Sequence, residues 1–243
     1  MERREYERLA AVEERGWWFR GLHTHLIAAR QRLQRSDQGA VLLDAGCGTG
    51  GLLTRLAQAA PQARRYGIEI DPVAAATARD KSHAAIATGS VLAPPIAPAS
   101  CDAIFSADVL CHRGVEPVAA LYALRDCLKP GGALILNLPA YRWLFSGHDR
   151  AVDNIRRFDP DEVRDLLAAA GFVAIDIGFW NSFLFPLMVA QRLLHRAAKS
   201  DVEFMPAPVE YLFRAIVLME ARLASFGLRL PFGGSILATA IKP

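Results

Sequence analysis

The chain has 243 residues, 52% apolar and 22% charged, enough for one large domain with a substantial core, which excludes a disordered tail or a disulfide-stapled mini-protein. Its formal charge is +3; residues 1 to 36 hold eight Arg against five Glu and the remainder balances to zero, so the basic stripe of a nucleic-acid binder is missing. Cys47, Cys101, Cys111 and Cys127 form no CxxC pair and no zinc-ligand spacing, which points to small core side chains, a reducing compartment and no metal.

The first twenty residues are charged and helix-like, without an apolar h-region or cleavage site, so a cytoplasmic chain is expected. One helical pattern precedes Gly16 and a second runs from about Leu22 to Leu33, with Trp17-Trp18-Phe19-Arg20 between them and Ser36-Asp37-Gln38-Gly39 as the stop. Strands are then predicted at 40–44, 65–70, 85–88, 103–106 and 133–138, separated by helices at 52–60, 72–81 and 116–128. A helix at 160–170 and a strand at 172–177 follow, then two apolar-rich helices at 181–199 and 209–226, and a final strand at 235–241. Such alternation predicts an α/β fold, a doubly wound and mostly parallel sheet covered on both faces. The expected division is an N-terminal helical cap over 1–39 and a catalytic domain over 40–243, with a helical insertion at about 181–230. The apolar stretch from Phe179 to Leu194 is broken by Asn181, Ser182, Pro186, Gln191 and Arg192, short of the roughly 20 apolar residues of a spanning helix.

Val41-Leu42-Leu43-Asp44-Ala45-Gly46-Cys47-Gly48-Thr49-Gly50-Gly51 turns a strand into a helix on a run of glycines, where backbone N–H groups and the positive helix end can approach a nucleotide-like ligand. Glu69 falls at the end of the next strand, where a carboxylate can accept both hydroxyls of a ribose. Gly46, Gly48 and Gly51 also satisfy the dinucleotide pattern, so a nicotinamide-dependent oxidoreductase is one reading of these residues. Asp44, the Gly67-Ile-Glu-Ile-Asp71 stretch, Ser106-Ala-Asp-Val-Leu-Cys-His112 and Leu128-Lys-Pro-Gly-Gly132 add context that this reading leaves unexplained.

Together these segments, from about Val41 to Leu138, resemble the class I S-adenosylmethionine-dependent methyltransferases. The resemblance implies a seven-stranded sheet with its last strand antiparallel, and S-adenosylmethionine as cofactor. It assigns Asp44, Gly46 and Gly48 to the methionine end, Glu69 to the ribose, Ile70, Ser90 and Val91 to the adenine side, and Cys47 and Ala107 to the cofactor site without a specified part. Where many members have Gly-Asp-Ala, this chain has Gly89-Ser90-Val91.

A sulfonium methyl is already electrophilic, so the protein must align a nucleophile, exclude water and, where required, remove a proton. Reacting groups in such a sheet gather beyond the carboxyl ends of the strands, which nominates Asp108, His112, Tyr141, His148 and Asp149; the histidines suit a general base. Trp17-Trp18-Phe19-Arg20 is expected either to cover the pocket or to pack the N-terminal helices onto the sheet. The apolar surface of the inserted helices requires burial in the core, in a homodimer, against a membrane surface or around a greasy substrate. The expected function is methyl transfer to a small, hydrophobic or lipid-linked acceptor at O, N or C, with no nucleic-acid partner. A cofactor-binding partner subunit without catalysis is the remaining alternative.

Overall fold

The computed structural model describes residue 13 and residues 16–33, 36–194 and 205–243. In chain order the elements are α1 (Trp17–Leu33), β1 (Val41–Ala45), α2 (Gly51–Ala59), β2 (Arg64–Glu69), α3 (Pro72–Ser82), β3 (Ala85–Thr88), β4 (Cys101–Ala107), α4 (Pro117–Cys127) and β5 (Leu128–Pro139). A 3-10 turn at Arg142–Leu144 and the short α5 (Gly147–Ala151) follow, then α6 (Pro160–Ala169), β6 (Val173–Trp180), α7 (Phe185–Leu194), α8 (Ala207–Ser225) and β7 (Ser235–Ile241).

The strands form one seven-stranded sheet in the order β3-β2-β1-β4-β5-β7-β6. All pairings are parallel except those of β7, which is antiparallel to both neighbours. The predicted sheet, including its reversed last strand, is therefore present. Neighbouring residues on the central strands point to opposite layers, as a period of two requires. Leu43, Ile104 and Leu134 join a core closed by Leu121 and Leu124 of α4 and Leu167 of α6, while Leu42, Phe105 and Ile135 join one closed by Leu26 of α1 and Leu53 and Leu56 of α2. The strand order reverses between β1 and β4, and the carboxyl ends of β1, β2, β4, β5 and β6 share one edge.

Three boundaries differ from the expectation by four or more residues, each for a physical reason. Trp17, Trp18 and Phe19 do not separate two helices but form the first turn of α1: Trp17 lies edge-on to Phe213 of α8 at 5.4 Å and Trp18 packs on Trp180 at 5.7 Å, so tertiary burial extends the helix. The helix expected from Asn181 starts at Phe185, because Asn181 adopts φ 58° and the N–H groups of Ser182 and Phe183 are bound by the Glu220 carboxylate of α8. Strand β5 begins at Leu128, since Gly131, at φ 77°, donates to Lys242 O at 2.8 Å and continues the sheet through a register break. The short helix α5 was unanticipated, although Ser146 and Asp149 form a capping box whose spacing is visible in the chain. Apart from Glu13, which is helical, the helix expected before Gly16 lies outside the described residues, as does the end of the one expected at 181–199. Among the described residues, no helix is long and apolar enough to cross a membrane.

Candidate active site

The loop after β1 is held from beneath by β2: the N–H groups of Gly46 and Cys47 both donate to Ile68 O, at 2.8 and 3.0 Å. Gly46 has φ 84°, and a Cβ there would lie 2.3 Å from the Val109 side chain, so glycine is required for conformation and for space. Glu69 folds back over this loop, accepting from Gly48 N at 2.8 Å and from Asp71 N at 3.1 Å. Beside it, Ile70 is 69% exposed, an apolar side chain left open at the edge. Gly89 N is tied to Glu69 O, Ser90 Oγ accepts from Leu92 N at 3.2 Å, and Val91 is buried. Ala107 lies at the end of β4, half-buried.

Glu13 was not singled out from the chain, yet it reaches the start of α2. Its carboxylate accepts from Thr49 Oγ1 and from Gly51 N at 3.0 Å, and pairs with Lys81 Nζ at 3.1 Å. It thus occupies the donors at which a helix end would receive a phosphate. Asp44 is 2% exposed; burial, then the charges of Glu13 and Glu69, hold its carboxyl well above the ordinary range. The same burial and acidic neighbours push the Cys47 thiol up. Three carboxylates therefore surround the glycine loop, a donor set suited to a cationic ligand.

A second group lies beyond β4 and β5. Asp108 adopts φ 52°, and both of its carboxylate oxygens accept from Asn137 Nδ2, at 3.1 and 3.0 Å. Asn137 is fully buried, and its Oδ1 accepts from Trp180 Nε1 at 2.6 Å. An indole is a donor only, so this bond fixes which way the amide faces and aims its NH2 at Asp108. Trp180 is itself fully buried beside His25 and Trp18 of α1. Burial raises the Asp108 carboxyl to about 7, opposed by the Asn137 hydrogen bond and the Arg157 charge and assisted by Asp149. Its neighbour Val109 is the residue against Gly46, so the turn that carries this carboxylate borders the loop. Replacing Trp180 with Phe is expected to keep the fold but free Asn137, lowering turnover by up to about tenfold, the worth of one hydrogen bond; wild-type rates in steady-state assays would remove the indole from this chain of contacts.

The other nominated residues have distinct settings. Asp149 has no exposure; Oδ1 accepts from Arg157 Nε at 2.8 Å, and Oδ2 from Arg192 Nη1 at 2.9 Å and Ser146 N at 2.8 Å. Its acceptor capacity is spent on the protein, which makes it a tie between α5, α7 and the segment before α6. His148 is half-buried on α5 next to it. His112 is half-buried and bridges its main chain to Asn154. Tyr141, at φ 64°, stacks on Phe179 at 5.6 Å and lies 5.5 Å from Phe185 and 5.9 Å from Trp143. Arg157, bonded to Asp149 and to Ala140 O, joins Tyr141, Asp149 and Asp108 into one neighbourhood. Asn137 carried a signal, a polar residue inside an otherwise apolar strand; Glu13 carried none.

A methyltransferase domain family matches residues 43–136. The malonyl-[acyl-carrier protein] O-methyltransferase of Dechloromonas aromatica is 30% identical over 142 residues, 56% of this chain and 53% of that protein. The tRNA U34 carboxymethyltransferase of a Geobacter species is 36% identical over 107 residues, 40% of this chain and 32% of that protein. The chain thus spans about half or less of the length of the curated relatives it matches. Among solved structures, an S-adenosylmethionine-dependent methyltransferase from Thermotoga maritima has the same fold, with a TM-score of 0.61 at 19% identity, covering 99% of this chain and 96% of that one.

Proposed function

We propose that the chain is a class I S-adenosylmethionine-dependent methyltransferase, an enzyme that moves a methyl group to a small, largely apolar acceptor. When bound, S-adenosylmethionine supplies a methyl on a positively charged sulfonium. The observation that carries the reading is the acidic rim of the glycine loop. S-adenosylmethionine bears an ammonium and a sulfonium against one carboxylate, so Glu69 meets it with complementary charge, and a cation beside Asp44 opposes the burial and acidic neighbours that raise that carboxyl. The diphosphate of a nicotinamide cofactor would face Glu13 on the helix end it normally uses, with Asp44 alongside, which disfavours the oxidoreductase reading.

Asp44 and Gly46 hold the amino-acid end, Glu69 takes the ribose hydroxyls, and Ile70, Ser90 and Val91 flank the base. Asp108 is the group that accepts a proton from a hydroxyl or amine acceptor: it lies on the turn that borders the loop, is clamped by Asn137, and has a proton affinity near neutrality, where a base works best. Tyr141, Phe179 and Phe185 offer an aromatic wall for the acceptor. His148 and His112 remain secondary candidates for proton transfer. The tRNA enzyme among the relatives makes RNA the competing acceptor; the balanced charge outside residues 1–36 favours the small molecule.

Glu69→Ala is expected to weaken S-adenosylmethionine binding by about 2 to 3 kcal/mol, the range for hydrogen bonds to a charged group. An unchanged dissociation constant by calorimetry would overturn the ribose assignment. Incubating the purified full chain with methyl-labelled cofactor and a panel of apolar alcohols, amines and carboxylates tests the reading as a whole. Label transfer that Asp108→Asn abolishes is the expected result; tight cofactor binding with no transfer to any acceptor would instead indicate a non-catalytic partner subunit.

A further inference from the structure

On the outer side of α1, α2 and α8 lies a cleft of about 550 Å³ lined by Arg20, Arg55, Tyr211, Arg214, Ala215 and Leu218. The α8 residues recur at i, i+3, i+4 and i+7, so one stripe of that helix faces the cleft. The opposite face is already used: Phe213 meets Trp17, Val217 lies against Gly21, and Glu220 binds Ser182. Three guanidinium groups converge here, and none of them forms an ion pair or side-chain hydrogen bond among the described residues. Arg20 Nε is shielded from solvent without an acceptor, and Arg214 lies 5.5 Å over the Tyr211 ring. Burial and the charge of Arg20 hold Arg55 below its ordinary range, with Glu13 opposing. Buried His23 is driven down to about 3, by burial first and then by Arg55, Lys81 and Arg20. Neighbouring carboxylates are engaged elsewhere: Glu13 holds Thr49, Gly51 and Lys81, and Glu210 holds Trp17 N.

Grouping half-buried guanidiniums costs solvation and repulsion that, among the described residues, only the more distant charge of Glu13 opposes at Arg55, and a bidentate oxyanion offsets both. Flanking the cleft on α8, Tyr211, Leu212, Leu218 and Met219 expose apolar surface, which a nucleic-acid backbone would not cover but a hydrocarbon tail would. We infer that this cleft binds the phosphate of an anionic amphiphile, with Arg20, Arg55 and Arg214 on the phosphate and the α8 stripe along the tail. The inference is independent of the methyl-transfer reading, since it uses none of the loop residues.

The test is calorimetric titration of the full chain with dodecyl phosphate below its micelle concentration, beside inorganic phosphate and dodecyltrimethylammonium. Dodecyl phosphate should bind about tenfold or more tightly than either control, and Arg55→Gln and Arg214→Gln should each weaken it by about tenfold while S-adenosylhomocysteine affinity stays unchanged. Sedimentation with phosphatidylglycerol but not phosphatidylcholine vesicles, lost in Arg214→Gln, would identify the source as a lipid surface; binding of dispersed dodecyl phosphate without sedimentation would identify a soluble phosphate ester. Equal affinities in wild type and variants, equally tight binding of the ammonium amphiphile, displacement by S-adenosylhomocysteine, or tighter binding of a single-stranded oligonucleotide would each overturn the inference.

Discussion

Asp108→Asn is expected to lower turnover by about 10²- to 10⁴-fold, the usual contribution of a positioned general base, with cofactor affinity retained because Asp44 and Glu69 are untouched. The amide keeps the size of the carboxylate and one acceptor for Asn137 Nδ2, so the strained φ of 52° and the surrounding packing persist. The pH dependence distinguishes this from a structural effect. Only the ionised carboxylate can accept a proton, and burial places its ionisation at about 7. Wild-type kcat/KM should therefore rise through about pH 7, and the limb should vanish in the variant. Stability carries the matching sign. An unfolded Asp releases its proton near 3.9, so between about pH 4 and 7 the folded chain binds a proton that the unfolded chain has lost, and its stability falls as pH rises. The melting temperature of Asp108→Asn relative to wild type should increase across that window; a constant difference would mean that the carboxyl is not raised.

Asp149→Ala is expected to cost about 3 to 5 kcal/mol of folding stability, read by urea denaturation, because it leaves Arg157 buried beside an unfilled site and releases Arg192. Arg192→Gln should cost less, since Asp149 keeps Arg157 and Ser146 N. Burial alone would raise the Asp149 carboxyl, but the hydrogen bond and charge of Arg157, with Arg192 and Ser146 N–H, hold it below the ordinary range. Its contribution is thus full above about pH 4 and is lost as pH falls through the depressed folded value. If Asp149→Ala unfolds at the same urea concentration as wild type, the tie between α5, α7 and the segment before α6 is not stabilising.

The parts legible in the chain are those written in local pattern. Apolar runs of four or five residues alternating with helical spacing announce β1 to β5, and the Gly46 to Gly51 turn followed by Glu69 announces the loop and its acidic partner. β3 and β7 carry the expected limits, because turns bound both. What pattern could not reveal depends on contacts distant in the chain. Trp17 to Phe19 read as a segment between two helices because the partners that make them helical, Phe213 and Trp180, lie far along the chain. Asp108 is one of five nominated residues in the chain and stands out only where Asn137, oriented by Trp180, binds it. Likewise, Asp149 reads as a candidate site residue, whereas its carboxylate is taken by arginines eight and forty-three residues away. Glu13 lies in a charged stretch where no residue type stands out, and only the folded chain brings it to the start of α2.

The most direct measurement is a pair of calorimetric titrations of the full chain, one with S-adenosylmethionine and one with NAD. Three carboxylates around the glycine loop predict saturable one-to-one binding of S-adenosylmethionine, weakened in Glu69→Ala, and no heat with NAD. Binding of NAD with no binding of S-adenosylmethionine would contradict the account.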